Sequence, residues 1–281
     1  MKLFRHGPAG AERPGIVDRQ GGLRDLSGLI RDVRGQALDR QTMSQLRDVD
    51  LEQLPLLPDD VRLGACVAGV GNFIGVGLNY ADHALEAGLP LPKEPVLFNK
   101  ATSCVCGPYD NVIMPRGGSK LDWEVELAVI IGESCLYVDE DQAMDYVAGF
   151  CLCNDVSERV FQMDRGGLWS KGKGCPTFGP LGPWLVTPDE VPDPHNLELW
   201  LNVNGERMQS GNTSSMVFKV PALVSYISQF MRLEAGDVIA TGTPPGVGMG
   251  KKPPRYLKPG DVMELGVAGL GTQRQLVVES N

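Results

Sequence analysis

Short apolar runs, separated by turns rich in glycine and proline, recur along most of this 281-residue chain. The chain holds 35 Gly and 21 Pro, and few of its segments have the spacing of an amphipathic helix. Short runs bounded by such turns are typical of strands. The strand-like runs are NFIGVGL, PVLFNK, LAVIIG, YVAGFCLCND, LELWLNVNG, DVIATGT, DVMELGV and RQLVVES. We therefore predict an α+β fold that is mostly β, with a few helices packed on the strands.

Helical spacing is confined to a few segments. Besides TMSQLRDVDLEQL near the N terminus, these are roughly residues 79–87, 141–147, 156–164 and 220–232. Segments this short and this sparse predict helices that cover the strands and do not form a bundle.

The beginning of the chain differs in character from the rest. GIVDRQGGLRDLS predicts a hairpin that turns near Gly21 and Gly22, and the proline-punctuated run LPLLPDDVRL indicates a connector. We predict a small N-terminal accessory domain over residues 1–68 and a larger second domain over residues 69–281.

The charge balance excludes some classes of partner. A net charge of -9 argues against a nucleic-acid-binding protein, which shows a basic stripe. No apolar run approaches the ~20 residues that span a bilayer. The start, MKLFRHGPAG, lacks the apolar stretch that follows the charged residues of a signal peptide. We expect a cytoplasmic protein that binds neither nucleic acid nor membrane.

The seven cysteines do not have the C-x2-C spacing of a zinc site. Most stand in apolar strand-like runs, so we expect small buried hydrophobic residues in a reducing compartment. Cys175, in a glycine-rich loop, is the one that we expect to be exposed.

An apolar strand with acidic residues stands near the middle of the chain, in SKLDWEVELAVIIG. Asp122, Glu124 and Glu126 alternate along it, so a strand would place them on one face. Neighbouring carboxylates on that face lie about 7 Å apart by Cα and repel each other. If buried, they need a compensating cation, and a divalent cation prefers oxygen ligands. The alternative is a strand face exposed to solvent, and the pattern alone leaves both open.

A second acidic position follows the strand in GFCLCNDVSERVFQMD. Asp155 ends this strand, where both helix N-caps and metal ligands occur. In the predicted helix, Arg159 and Gln162 share a face with Asp155. They would complete a site that holds an anion beside a metal. Taken alone, the motif favours the simpler alternative of an N-cap aspartate and an exposed arginine.

The segment NYADHALEAGLP predicts a short helix that carries His83 and Glu86 on one face, at i and i+3. A carboxylate in this position can orient the imidazole and raise its basicity, as a general base requires. The alternative is a surface His–Glu pair.

Two further segments carry polar groups in turns. Lys173 lies in the glycine- and proline-rich run LWSKGKGCPTFGPLGPWLVT and could neutralise an enolate or a carboxylate, unless it is simply solvated. In DVIATGTPPGVGMG a strand runs into Thr241, Thr243 and glycines that let the backbone approach a ligand. No G-K-[ST] follows, so this is not a phosphate-binding P-loop.

Taken together, these motifs resemble the fumarylacetoacetate hydrolase family. The matching segments, in chain order, are IGVGLNYADHALE, PVLFNK, LDWEVELAVIIG, GFCLCNDVSERVFQ, KGKGCPTFGPLGPWLVT, LNVNGERMQSGNTSSM and GDVIATGTPPGVGMG. The resemblance covers about residues 70 to 280. It implies a mixed β-roll, a homodimer and a Mg²⁺ or Mn²⁺ ion in a catalytic second domain.

The resemblance also implies roles for particular residues. The implied metal ligands are Glu124, Glu126 and Asp155; the catalytic residues are His83, Glu86 and Lys173; the substrate-binding residues are Arg159, Gln162 and Thr243. Asp122 is expected nearer solvent or behind the ligands. Pro176 stands where many relatives have an aspartate after the lysine loop.

The implied activity is a Mg²⁺-dependent hydrolysis of the C–C bond of 2,4-diketo (acylpyruvate-type) acids through a metal-stabilised enolate. The length and the N-terminal segment resemble bacterial members that cleave acylpyruvates or 2,4-diketo-3-deoxy acids. Relatives with the same site act as oxaloacetate decarboxylases, 2-oxo-acid isomerases or hydratases, or ureidoglycolate lyases. An inactive metal- or ligand-binding homologue is less favoured, because both His83 and Glu86 are present.

Overall fold

The computed structural model describes residues 1–86, 88 and 90–280. The strands in this part of the chain are β1 (Lys2–His6), β2 (Arg13–Val17), β3 (Leu23–Asp25), β4 (Phe73–Gly77), β5 (Val96–Lys100), β6 (Val105–Cys106), β7 (Val112–Ile113), β8 (Leu121–Asp122), β9 (Val125–Ile131), β10 (Val147–Asn154), β11 (Ser157–Glu158), β12 (Gly179–Pro180), β13 (Leu185–Val186), β14 (Glu198–Val203), β15 (Glu206–Asn212), β16 (Val238–Ala240), β17 (Val262–Val267) and β18 (Gly271–Val278).

The helices are short. The α-helices are α1 (Arg40–Arg47), α2 (Ala81–Glu86), α3 (Ser170–Lys173) and α4 (Val220–Ser228). A π-helix covers Val160–Asp164. Single 3-10 turns cover Gly35–Leu38, Leu51–Gln53, Thr102–Cys104, Ala143–Tyr146, Pro188–Glu190, Thr213–Ser215 and Gly248–Gly250.

Two large sheets organise the molecule. The first has nine strands in the order β3-β2-β1-β13-β10-β9-β16-β4-β5, and the second has five in the order β15-β14-β17-β18-β7. Most neighbours are antiparallel, but β16 pairs in parallel with β4, and β18 with β7. The prediction of an α+β fold that is mostly β, with mixed strand pairing, is therefore confirmed.

The second sheet packs on β9 and β10 of the first. As a result β9 and β10 are buried along their whole length, on both faces. Strands buried on both faces consist almost wholly of apolar residues, as these two do. The polar exceptions, at the start of β9 and just after β10, therefore lie inside the molecule.

The first 68 residues contribute β1, β2 and β3 to one edge of the nine-stranded sheet, where β1 pairs antiparallel with β13. The predicted hairpin is confirmed, since β2 pairs with β3 and Gly21 has a φ of 89° in the turn. The segment thus shares a sheet with the rest of the chain. The domain boundary at residues 68 and 69 stays a prediction.

The cysteines are free, and five of them are buried. Cys106 and Cys175 are half-buried. The expectation that most cysteines behave as small core residues is confirmed, and Cys175 is more covered than we expected. No helix in residues 1–86, 88 and 90–280 has the length and apolarity needed to cross a membrane.

Candidate active site

Three buried carboxylates converge where β9 begins and β10 ends. Glu124 lies in the break between β8 and β9, Glu126 lies on β9, and Asp155 directly follows β10. The antiparallel pairing sets Cys153 opposite Glu126, which brings the end of β10 beside the start of β9. The Asp155 N–H then donates to the Glu124 carbonyl oxygen at 2.9 Å. One carboxylate oxygen from each acid lies within 4.8 Å of the other two.

Three buried cations surround this acid cluster, which we define as Glu124, Glu126 and Asp155. Arg159 Nη2 donates to Glu124 Oε1 at 2.6 Å. Lys173 Nζ donates to Glu124 Oε2 at 2.7 Å and to Asp155 Oδ2 at 2.6 Å. Lys100 Nζ donates to Asp155 Oδ1 and to the Lys173 carbonyl oxygen. The cations pair with two of the three acids.

Glu126 is the acid that these cations leave without a partner. In the described part of the chain it forms no ion pair, and the Gly242 N–H donates to its Oε2 at 2.8 Å. Burial raises the pKa of Glu126, and the neighbouring Asp155 and Glu124 carboxylates raise it further. Burial alone would also raise the pKa of Glu124, but Lys173 and Arg159 outweigh it and lower that pKa. The charged form of Glu126 is therefore costly unless a further cation lies beside it.

The donor set fits a hard divalent cation. Three carboxylates offer oxygen ligands, which Mg²⁺, Mn²⁺ and Ca²⁺ prefer, and no thiol or imidazole belongs to the cluster. A cation would also offset the uncompensated charge of Glu126. Glu124, Glu126 and Asp155 are thus the residues that could hold a metal, as predicted from the sequence, although their role as ligands stays a prediction.

His83 and Glu86 form a hydrogen-bonded pair on α2. His83 Nδ1 lies 3.1 Å from Glu86 Oε2, and both side chains are partly buried. The Gly246 N–H lies 3.0 Å from Glu86 Oε1 and fixes the carboxylate from the other side. Burial acts to raise the pKa of Glu86, but the hydrogen bonds from His83 and Gly246 outweigh it, so that the pKa is lowered. An ionised Glu86 therefore orients the imidazole.

The predicted substrate-binding side chains are buried and already hydrogen-bonded. Arg159 Nη1 donates to Gln162 Oε1 at 2.9 Å. The Thr243 hydroxyl donates to the Val125 carbonyl oxygen at 2.9 Å and accepts from Gln209 Nε2 at 2.7 Å. Arg159 and Gln162 therefore lie against the acid cluster, whereas the Thr243 hydroxyl is committed to the first residue of β9. Their contacts with a substrate stay predictions.

The acidic strand differs from its prediction in its continuity. It is not one continuous strand, because β8 ends at Asp122 and β9 begins at Val125. Of the two alternatives left open for its acid-bearing face, the buried one holds, since Asp122 is 0% accessible. Of the two positions expected for Asp122, the one nearer solvent is excluded and the one behind the ligands fits, because its carboxylate pairs with Arg159, which in turn pairs with Glu124.

Two local predictions around the cluster are also wrong. No helix follows Asp155 directly: the chain forms β11 first, and the π-helix begins at Val160. Asp155 is thus a buried, ion-paired acid and not an N-cap. Lys173 lies in α3 and not in a loop, and its side chain is buried on Glu124 and Asp155. The exposed alternatives for Arg159 and Lys173 are excluded.

Sequence reasoning missed Lys100, the last residue of β5. Burial acts to lower the pKa of Lys100, but the Asp155 carboxylate outweighs it and raises the pKa, so the ammonium stays charged. The available signal was the alternation in PVLFNK, since Val96, Phe98 and Lys100 share a strand face. A lysine in register with apolar residues predicts a buried counter-ion.

We expect Lys100→Met to lower the free energy of unfolding by about 3 kcal/mol, because breaking a buried ion pair leaves one charge uncompensated. The loss should fall at the lower end of the known range, since Lys173 remains on the other Asp155 oxygen. Urea denaturation in EDTA measures it. Lys120→Met is the control, because the Lys120–Asp164 pair is exposed and worth at most ~1 kcal/mol. Equal losses in the two variants would contradict the importance of Lys100.

The chain is an enzyme of the fumarylacetoacetate hydrolase family. The family model "Fumarylacetoacetate (FAA) hydrolase C-terminal" matches residues 72–278. A protein from Burkholderia multivorans is 59% identical over 277 residues, which is 98% of each chain. The family predicted from the sequence motifs is therefore confirmed.

Solved structures are similar to this chain over its full length. The fumarylacetoacetate hydrolase of Exiguobacterium antarcticum is 38% identical, covers 100% of both chains and has a TM-score of 0.87. The 5-carboxymethyl-2-hydroxymuconate delta-isomerase of Mycobacterium smegmatis is 33% identical, covers 100% of both chains and has a TM-score of 0.79. These matches confirm the implied mixed β-roll, and they include both a hydrolase and an isomerase.

Proposed function

We propose that this enzyme is a Mg²⁺-dependent hydrolase that cleaves the bond between C3 and C4 of acylpyruvate-type 2,4-diketo acids. The observation that carries the proposal is Glu126, a buried acid without an ion pair in the described residues, beside Glu124 and Asp155. Mn²⁺ suits the same oxygen ligands. When bound, such an ion supplies a Lewis acid and a template for the carboxylate and 2-oxo oxygens of the substrate.

Arg159 and Lys173 supply fixed positive charge where the substrate becomes more negative. Both are held in place by Glu124, and Lys173 is also held by Asp155. When the C3–C4 bond breaks, its electron pair forms an enolate over C3, C2 and the 2-oxo oxygen. Cations already in place stabilise this charge without reorganising, and removal of one such group costs about 100- to 1,000-fold in rate.

His83 is the general base in this proposal. Its Nδ1 faces Glu86, so Nε2 remains to take a proton from water. The water oxygen bonds to C4, and cleavage of C3–C4 releases a carboxylic acid and the enolate of pyruvate. The proton returns to C3, so that one water and one diketo acid give one carboxylic acid and one pyruvate.

The second candidate is an isomerase of unsaturated 2-oxo acids. The similarity to an enzyme described as a 5-carboxymethyl-2-hydroxymuconate delta-isomerase favours it. The same acid cluster would also serve an oxaloacetate decarboxylase, a hydratase or a ureidoglycolate lyase. Each of their substrates has adjacent oxygens that a metal held by the cluster could bind. Hydrolysis differs from isomerisation in consuming water, so the products distinguish the two.

The test is a substrate panel of acylpyruvates, 2,4-diketo-3-deoxy sugar acids, oxaloacetate, an unsaturated 2-oxo acid and ureidoglycolate, each with Mg²⁺, Mn²⁺ or EDTA. We expect pyruvate and a carboxylic acid from an acylpyruvate with either metal, and none in EDTA. Turnover in EDTA, or turnover restricted to another substrate, contradicts the proposal. No turnover while metal binds identifies an inactive homologue.

We further propose that the enzyme is a cytoplasmic homodimer. The family resemblance supports the dimer, and the net charge of -9 together with the reduced cysteines supports the compartment. Light scattering should give twice the mass of one chain, and a monomer in dilute solution would contradict the dimer.

A further inference from the structure

Asp122 is fully buried, although it is neither one of the proposed metal ligands nor one of the proposed catalytic residues. Its carboxylate is 0% accessible and accepts four hydrogen bonds. Its Oδ1 accepts from the Trp123 N–H at 2.9 Å and from the Gly248 N–H at 2.6 Å. Its Oδ2 accepts from Arg159 Nε at 2.9 Å and from the Met249 N–H at 3.0 Å. The carboxylate thus joins a side chain of the site to a distant segment of backbone.

One side of this junction fixes Arg159. The guanidinium donates through Nε to Asp122, through Nη2 to Glu124 and through Nη1 to Gln162. A planar guanidinium held along three directions cannot rotate without losing a charge-assisted hydrogen bond. Burial acts to lower the pKa of Arg159, but Asp122 and Glu124 outweigh it and raise the pKa. Asp122 therefore supplies both orientation and counter-charge.

The other side fixes the turn of residues 246–250, which holds Glu86. The Gly248 backbone approaches Asp122 so closely that a Cβ there would lie 2.7 Å from Asp122 Oδ1 and collide with the Arg255 carbonyl oxygen. Two residues earlier, the Gly246 N–H binds Glu86. Trp123 Nε1 donates to the Gly246 carbonyl oxygen at 3.1 Å and anchors the same turn.

We propose that Asp122 is a positioning residue that aligns two halves of the site at once: Arg159 directly, and the Glu86–His83 pair through the turn of residues 246–250. This inference rests on the proposed function. Asp122 does not belong to the acid cluster and need not contact the substrate. Its effect on the reaction is exerted through Arg159 and through the Gly246 N–H.

Asparagine cannot replace this carboxylate. The amide has one acceptor oxygen, and its NH₂ group would face two of the four N–H donors. Arg159 would also lose one of its two counter-charges. Loss of a group that orients a functional side chain commonly costs about 10- to 100-fold in activity. We expect a loss of this size in kcat for Asp122→Asn, with Mn²⁺ affinity changed less.

Asp237→Asn is the matched control. Asp237 is also buried, and it accepts from the Asn72 N–H, Asn72 Nδ2 and the Glu234 N–H at 2.7–2.9 Å. It precedes β16, whose other end leads to Gly242 at the acid cluster. Both variants should lose stability, because each replaces a buried carboxylate that accepts several hydrogen bonds. A difference between them in kcat or oxalate affinity therefore reports the positioning role of Asp122.

The experiment measures kcat and KM, urea unfolding and, by calorimetry, the affinity of oxalate for the Mn²⁺-loaded protein. Oxalate presents the paired oxygens of a 2-oxo acid but needs no turnover. We expect Asp122→Asn to lose at least ~10-fold in oxalate affinity and in kcat, and Asp237→Asn to lose neither. Equal kcat and equal oxalate affinity in the two variants overturn the inference. It is also overturned if oxalate does not bind the Mn²⁺-loaded wild type.

The calorimetric measurement separates this inference from the proposed function. If the wild type turns over no substrate of the panel, the proposed function is contradicted. The oxalate affinities of Asp122→Asn and Asp237→Asn still decide the role of Asp122. If Asp122→Asn does not fold, Trp123→Phe tests the turn alone, because it removes the bond to Gly246. We expect a lower kcat with oxalate affinity retained, and an unchanged kcat overturns the inference.

Discussion

Glu126→Gln should lose metal binding and turnover together. The glutamine keeps an oxygen for the Gly242 N–H but removes the one acid of the cluster that has no counter-ion in the described residues. Loss of a group behind a metal ligand already costs about 10- to 100-fold in affinity. Loss of the ligand itself should cost more than about 100-fold, measured by Mn²⁺ calorimetry.

The same substitution should not harm the fold. Burial and two neighbouring carboxylates raise the pKa of Glu126, so its charged form is costly without a cation. We therefore expect the free energy of unfolding in EDTA to stay equal or rise. Asp237→Asn, outside the cluster, should keep its Mn²⁺ affinity. Undiminished Mn²⁺ binding by Glu126→Gln would show that the cluster is not the metal site.

His83→Ala should separate chemistry from binding. The residue belongs to α2 and pairs with Glu86, whereas the acid cluster comes from β9 and the end of β10. Mn²⁺ and oxalate affinity should therefore stay within about twofold of the wild type. The hydrolytic kcat should fall by about 100- to 10,000-fold, which is the contribution of a positioned general base.

His195→Ala is the control for this substitution. His195 also has a nearby acid, with Nδ1 3.8 Å from Asp193, but its Nε2 accepts from the Val220 N–H at the start of α4. Its removal should lower stability and leave kcat unchanged. If His83→Ala hydrolyses an acylpyruvate at the parent rate, the general base lies elsewhere.

Local sequence patterns predicted the strands well but not the way they assemble. Runs such as LAVIIG and DVIATGT show their strand character in a few residues, and β9 and β16 lie where they predict. Their neighbours in the sheet come from distant segments, as in the parallel pair of β16 with β4. The position of β1 in the sheet cannot be seen in the sequence either, because β1 pairs with β13, more than a hundred residues away.

The sequence predicted the three acids and, among the cations that pair with them, Arg159 and Lys173, but it missed Lys100. Alternating glutamates in an apolar strand need a compensating cation if their face is buried, and this alternative pointed to Glu124 and Glu126. Lys100 carries a weaker signal, its register with Val96 and Phe98, and a lysine at a strand end is ordinarily solvated. For Asp122 the prediction left open a position nearer solvent and one behind the ligands, because the strand pattern shows its face and cannot show what covers that face.

The proposed helical face of Asp155, Arg159 and Gln162 shows how a correct grouping can rest on a wrong geometry. The chain makes β11 before it makes the π-helix, so helical periodicity does not relate Asp155 to Arg159. Each of them contacts Glu124: Asp155 donates its backbone N–H to the Glu124 carbonyl oxygen, and Arg159 donates its guanidinium N–H to the Glu124 carboxylate. Tertiary packing around Glu124 produced the grouping that the local pattern suggested.

Anomalous diffraction from crystals grown with Mn²⁺ tests the central claim most directly. We expect one strong peak about 2.0–2.3 Å from a carboxylate oxygen of each of Glu124, Glu126 and Asp155. The peak should be absent from crystals of Glu126→Gln grown in the same way. A peak bound elsewhere, or a Mn²⁺-saturated crystal with no peak among these three acids, would contradict it.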